Sequence, residues 1–454
     1  CYYHEAWWWT HRHLRGLMIR ISLVALWCGV VTPLCAQPIQ FQILTSTDPS
    51  LEWRSVTLPG GKRIDHTLGI GSAAARHRTD PPDIVWTAGD RGPNMTCSEA
   101  PAIVGEDIAA MCRKLSNGRI YPTPTYTPSI YRVAIDRKNG TFQVTQTIPL
   151  RTAKTGRLLT GFLNPQTRAT KDTGMSLNGE ILPDDPDNVD LEGLVRLADG
   201  TFWIAEEMGP SLAHVSAEGR ILKRYVPADA VKDYALAEAQ IIGALPAIFS
   251  KRQGNRGIEG LAISPDEKFL FAIVQNPLAN PDSKTYQGAR NTRLIKFDLA
   301  QEKVVGEWVY QLADPRSFGF DQSSRQNEPR ISEMTTLGTD RLLILERTEK
   351  TTKLFEVTLE GASNILASRW DDLETSPSLE QFDDAPSVVG VTKALRFDTF
   401  RDLKEAPEKI EGLTFLQDGS LLLINDNDFG IRGDATKIVI LRNVIEADRV
   451  IWAR

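Results

Sequence analysis

"DLEGLVRLADGTFWIAEEMGP", Asp190 to Pro210, opens a β-prone run on a Glu-Gly pair, turns at Asp199-Gly200 and ends a second apolar run on Glu206-Glu207. Two short apolar runs joined by Asp-Gly read as an antiparallel hairpin, because glycine supplies the left-handed backbone of a tight turn. Working outward from this stretch, the unit recurs. "IEGLAISPDEKFLFAIVQNP" begins at Ile258, "ISEMTTLGTDRLLILERTEK" at Ile331 and "IEGLTFLQDGSLLLINDNDFG" at Ile410. A third run usually follows ("LAHVS", "TRLIKFD", "TKLFEVT", "KIVILRN"). Earlier, "HTLGIGSAAAR", "DIVWTAGDRG", "SIYRVAID" and "TFQVTQTIPL" repeat the order without the leading Glu.

Units of three to four antiparallel strands at irregular spacings of roughly 65–80 residues predict propeller blades, and a closed ring of blades leaves few free sheet edges. The expected fold class is therefore all-β, a six-bladed β-propeller. Five blades are clear, and the sixth comes from 371–409 or from the strands near 40–58. "PADAVKDYALAEAQIIGALP", starting at Pro227, is expected as a short helical insertion.

The innermost strand of each blade lines the axis, so residues at its start face one mouth. Glu192, Glu259, Glu333 and Glu411 take that place in four blades and are expected to gather there. Second-strand ends carry Asp90, Glu206-Glu207, Gln275-Asn276, Glu346 and Asp426-Asn427-Asp428 towards the same mouth, with Asn178 and Asn188 in a loop able to cover it. Crowded carboxylates raise one another's pKa unless a cation joins them. Oxygen-only donors suit a hard ion, above all Ca²⁺. Against this stands a plainer reading in which each Glu accepts hydrogen bonds from neighbouring blade amides and pins the ring.

The chain has 454 residues, 41% hydrophobic, with a formal net charge of −6. No long basic run is present, which argues against a nucleic-acid partner. Met18-Ile19-Arg20, the apolar run "ISLVALWCGVV" and the end "LCAQ" read as a signal peptide cut after Ala36, so 1–36 is set apart from a single propeller domain over 37–454. The expected product is a periplasmic or secreted monomer with no stable membrane insertion. Cys97 and Cys112 then remain, and in an exported chain they read as a disulfide closing one loop.

Past residue 36 the histidines are His66, His77 and His214, and there is no H-E-x-x-H, C-x-x-C or G-x-S-x-G. "GIGSAA" at Gly69–Ala74 imitates a dinucleotide fingerprint, but no helix-forming sequence follows it. In "DRGPN", Asp90 and Arg91 end a strand, and Arg91 suits an anion, as do Arg256 of "RGIEG" and Arg347 of "ILERTEK". Each arginine can equally serve a local ion pair.

"AGDRGPN", "GRIYPTPTYTPSIYRV", "LTGFLNP", the Asp190 stretch, "NRGIEGLAISPDEKFLFAIVQNPL" and "IEGLTFLQDGSLLLINDND" resemble the bacterial phytase-like family, also named for esterase-like activity of phytase, over roughly Gly69 to Leu441. The resemblance implies an exported β-propeller with ester or phosphoester hydrolase activity. The chain is similar, more distantly, to calcium-dependent lactonase propellers. That likeness carries axial-metal roles onto Glu192, Glu259, Glu411 and Asp426, while Glu333 departs from the Glu-Gly form.

The expected function is a metal-dependent hydrolase of a small-molecule ester, phosphoester or lactone. Ca²⁺ is held by Glu192, Glu259, Glu333, Glu411 and Asp426, and Asp90, Arg91 and Glu207 do the chemistry. The alternatives are a calcium-dependent lactonase and a propeller that binds a ligand without turning it over.

Overall fold

The computed structural model describes residues 37–446, apart from 59, 106–107, 109–111, 114, 116 and 166–171. The chain divides into two units, Cys1–Gln37 and Pro38–Arg454, and the expected signal peptide lies outside the described residues.

Five sheets, antiparallel but for one outer strand, carry the second unit. The first runs Ala73–Ala75, Ile84–Ala88, Ser129–Asp136, Thr141–Pro149 from inside outward, and the second Leu191–Arg196, Phe202–Glu206, Ser211–Val215, Ile221–Pro227, Gln240–Leu245. The third is Ile258–Ile263, Phe269–Val274, Asn291–Asp298, Lys303–Gln311, and the fourth Arg330–Gly338, Arg341–Arg347, Thr352–Thr358, Thr392–Asp398. In the fifth, Ile410–Phe415, Leu421–Asn425 and Ile438–Arg442 are completed by the N-terminal strand Gln40–Leu44. Each inner strand adjoins the inner strand of the next sheet, and the fifth returns to the first. The architecture is that of a β-propeller.

The hairpins follow from the turns read in the sequence. Gly200 and Gly419 sit at φ +86° and +78° in the turns, two residues before the second strands begin at Phe202 and Leu421. Both faces of these strands are apolar, because each sheet is packed between two others. Leu421 and Leu423 enter the cluster shared with the fourth sheet, whereas Leu422 and Ile424 enter the cluster shared with the first. Three further clusters join first to second, second to third and third to fourth sheets, so the apolar layers also run full circle. Alternate residues of one strand point to opposite faces, which lets a five-residue strand serve two interfaces.

Two expectations are corrected. The segments offered for a sixth blade go elsewhere. Thr392–Asp398 is the outer strand of the fourth sheet, Gln40–Leu44 completes the fifth, and Glu52–Thr57 pairs with Arg63–Thr67 in a separate hairpin. The stretch expected as helical instead forms a 3₁₀ turn, Val231–Tyr234, and a fifth strand, Gln240–Leu245, parallel to its neighbour. Its alanines favour helix locally, but "QIIGAL" beside a free sheet edge gains backbone pairing and burial for its isoleucines. The Cys97–Cys112 disulfide is formed. It lies in a small cluster with a three-stranded sheet of Met95–Thr96, Gly118–Tyr121 and Thr173–Ser176. Among the described residues, no helix is long and apolar enough to cross a membrane.

Candidate functional site

The Glu-Gly pair has a backbone cause. In the second sheet the pairing steps from Leu191–Glu206 to Gly193–Ala205, leaving Glu192 as the extra residue of a bulge. The same step leaves out Glu259 between Ile258 and Gly260, and Glu411 between Ile410 and Gly412. A bulge re-aims the side chain it carries, here into the mouth of the axis. The glycine that follows lets the next sheet approach. A Cβ on Gly193 would stand 2.7 Å from the Glu259 carbonyl oxygen, and one on Gly412 2.9 Å from Ala73 C.

The fourth sheet breaks the pattern by one residue. Its bulge falls at Ser332, between Ile331 and Glu333, so Glu333 occupies the place held elsewhere by glycine. Glu333 therefore does not join the other acids. Its Oε1 accepts the amides of Leu261 (3.0 Å) and Met334 (2.9 Å), which ties the third sheet to the fourth. The expected metal role falls away for it, and the pinning role holds. Ser332 instead accepts Arg347 Nε at 2.9 Å, and Arg347 Nη2 donates to Glu411.

The other residues expected to bind metal or do the chemistry meet in one cavity of about 300 Å³: Asp90, Arg91, Glu192, Glu207, Glu259, Glu411 and Asp426 all line it, as do Arg256 and Arg347. Of the acids and amides at second-strand ends, the side chains alternate. Glu207, Gln275 and Asp426 face the cavity. Glu206 turns away to Arg224 (3.2 Å), and Glu346 takes the Tyr310 hydroxyl at 2.5 Å and Lys393. Asn188 is buried against Arg224, which donates to its carbonyl at 2.8 Å. Neither Asn178 nor Asn188 lines the cavity.

Asp190, Arg330 and Lys409 also line the cavity and were missed. All three stand two residues before a bulged residue, at the entrance to an inner strand. In the third sheet that place is Gly257, where a Cβ would sit 2.0 Å from the Glu207 carbonyl oxygen. The repeat alignment held the signal. Once Glu333 is matched to the glutamates, however, the place two residues earlier is Ile331, and Arg330 disappears from view.

Oxygens of Asp90, Asp190 and Glu192 lie within 4.8 Å of one another, and so do those of Glu192, Glu207 and Glu259. Arg91 holds Asp190 through its amide (3.2 Å to Oδ1) and Nη1 (3.3 Å to Oδ2), while Arg256 Nη1 is 3.5 Å from Glu207 Oε1. Gln275 Nε2 donates to Glu259 Oε1. Across the cavity Lys409 Nζ reaches Asp426 Oδ2 at 2.7 Å and Asp428 Oδ1 at 2.5 Å.

Burial, followed by the neighbouring carboxylates, holds Asp90, Glu192 and Glu259 well above the usual carboxylate range. Glu207 is pushed up to about 7 by burial and Asp190, against the pull of Arg256 and Arg91. Asp426 is also raised to about 7 by burial and Asp428, with Lys409 opposing. Arg330 is brought down to about 10 by burial and then by Arg347 and Arg256. The cavity thus joins a cation-hungry acidic side to a side where guanidinium groups crowd one another.

The profile of the Phytase-like family, described as esterase-like activity of phytase, matches residues 121–429. An uncharacterized secreted protein of Arthroderma benhamiae is 31% identical over 177 residues, 35% of this chain and 34% of the relative, so the chain spans about a third of that protein's length. Among solved structures, streptogramin B lyase aligns at a TM-score of 0.31 and 9% identity over 89% of this chain and 97% of its own. The Dos1 propeller aligns at 0.31 and 9% over 86% and 82%. With its match running from the middle of the first sheet to the last acid of the cavity, the chain belongs to the phytase-like family.

Proposed function

We propose that the chain is an exported, Ca²⁺-assisted hydrolase of ester or phosphoester bonds, acting on a small molecule in the charged cavity of a five-bladed propeller. The observation that carries this reading is the convergence, from all five sheets, of buried carboxylates and arginines on one cavity. Perturbed acids and bases gathered in a cleft are the usual mark of a reactive site. Export is supported by the disulfide, which persists in oxidising compartments, and by the secreted relative.

The donors suit a hard cation. They are oxygens only, and Glu259 Oε2 and Gln275 Oε1 are buried without a hydrogen-bond partner among the described residues. Asp90, Asp190 and Glu192 would hold the ion, which when bound supplies positive charge to polarise a carbonyl or phosphoryl oxygen. This reading exchanges two roles expected from the sequence, making Asp90 a ligand and Asp426 the base.

With a pKa near 7, Asp426 takes a proton from water close to neutral pH. The water oxygen bonds to the ester carbon or phosphorus, the C–O or P–O bond to the alcohol breaks, and the departing alkoxide recovers the proton. Arg256, Arg330 and Arg347 repel one another in the free site, so an oxygen gaining negative charge is stabilised there.

The test is hydrolysis of p-nitrophenyl acetate and p-nitrophenyl phosphate by the full chain, with and without chelator, beside Glu192→Gln. Chelator and substitution are each expected to lower the rate about 100-fold or more with the fold intact, the scale of losing a main electrostatic contributor. Absence of turnover on an ester, lactone and phosphoester panel, in folded protein with Ca²⁺ present, overturns the hydrolase and leaves a binding propeller.

A further inference from the structure

Glu192 belongs to both carboxylate triads, and its environment differs from that of its neighbours. Only 7% of it is exposed, and none of the hydrogen bonds and ion pairs found among the described residues reaches its carboxylate. A carboxylate this little exposed, lining a cavity rather than paired to a cation, gains from an ion that replaces the water it has lost. Asp190 has Arg91 on both of its oxygens, whereas Glu207 has Arg256 and Glu259 has Gln275 on one oxygen each. Gln275 turns its Nε2 to Glu259 and leaves its Oε1 buried and unpartnered beside the second triad. That orientation presents a carbonyl-type oxygen, the donor a hard cation accepts next to carboxylates.

Charge gives a second argument. Ten acidic and seven basic side chains line the cavity, an excess of three negative charges when all are ionised. One divalent ion leaves the cavity net negative and repels an anionic substrate or a developing oxyanion. Two leave it net positive.

From these observations we infer that the mouth holds two hard divalent cations side by side, with Glu192 as the ligand they share. Asp90 and Asp190 complete the first cradle, and Glu207, Glu259 and Gln275 complete the second. The inference rests on the Ca²⁺-assisted reading above and adds to it the count of ions and the bridging residue. A carboxylate has two oxygens, enough to serve both cradles, and Glu192 offers an oxygen within 4.8 Å of each acid pair. The glutamine is the ligand that sets the second cradle apart, since the first contains carboxylates alone.

Calcium titration of the metal-stripped full chain, followed by isothermal calorimetry and native mass spectrometry, decides the matter. Two ions per chain are expected for the wild type. Asp90→Asn and Glu259→Gln are each expected to retain one ion while weakening the other at least tenfold, and Glu192→Gln to weaken both. The wild-type count needs no variant to fold. One ion per chain overturns the pair and, if chelator still abolishes hydrolysis, leaves the function intact. Two ions that survive Glu192→Gln unchanged overturn the bridge. No bound ion overturns this inference, and hydrolysis that persists in chelator then overturns metal assistance as well.

Discussion

Ser332 carries a hydroxyl where three other inner strands carry a bulged glutamate, and Glu333 follows it where they carry glycine. The side-chain period of a strand is two, so a shift of one residue moves a group from one environment to another. The sequence made Glu192, Glu259 and Glu411 legible because Glu-Gly recurs. It concealed Ser332 because a hydroxyl resembles nothing in the repeat, whereas an adjacent Glu resembles everything. Glu333→Gln is accordingly expected to leave calcium affinity and hydrolysis within about threefold of wild type, and calorimetry with an ester assay checks this. Glu192→Gln is expected to behave in the opposite way. Its raised carboxyl favours folding at low pH, and that contribution is lost as pH rises through its folded-state value. In chelator at pH 8 the variant should therefore unfold at higher denaturant than wild type, by roughly 1 kcal/mol or more, with the gap closing as the pH is lowered. Asp426, the proposed base, carries the pH prediction. If it must be ionised to accept a proton, kcat/KM should rise with pH through about 7 and the rise should vanish in Asp426→Asn.

Among the elements, the hairpins were readable from their turn residues, since Asp-Gly and alternating apolar runs act locally. The Gln240–Leu245 strand was not, because its partner is Ile221–Pro227 in parallel and the pairing depends on a neighbour the local pattern does not mention. The loop between Cys97 and Cys112 brings Glu99 and Ile103 to the cavity, and Met95 and Thr96 stand beside it. Closing a loop of 15 residues constrains the unfolded chain by about 3 kcal/mol. A Cys97→Ser, Cys112→Ser double variant should thus exchange its amides faster over 95–120, while the five sheets keep their protection. Hydrogen exchange by mass spectrometry distinguishes this local opening from global loss.

For the molecule as a whole, the circular order of inner strands and the five clear blades were foreshadowed by the repeat, but the fate of the strands offered for a sixth was not. The extra strands near the N-terminus suggested another blade. They are shared out instead, with Gln40–Leu44 zipped antiparallel to Ile438–Arg442 from Gln40–Arg442 to Leu44–Ile438. No local pattern announces a partner at the far end of the chain. Leu423, wholly buried between the fourth and fifth sheets, measures what the layers contribute, and Leu423→Ala should cost about 2–5 kcal/mol in chemical denaturation.

That seam also imposes a timetable. A polypeptide made or threaded through a pore from its N-terminal side must keep Gln40–Leu44 waiting until Ile438–Arg442 has emerged. The last sheet, the layers on either side of it and the acidic pocket above them assemble late and together.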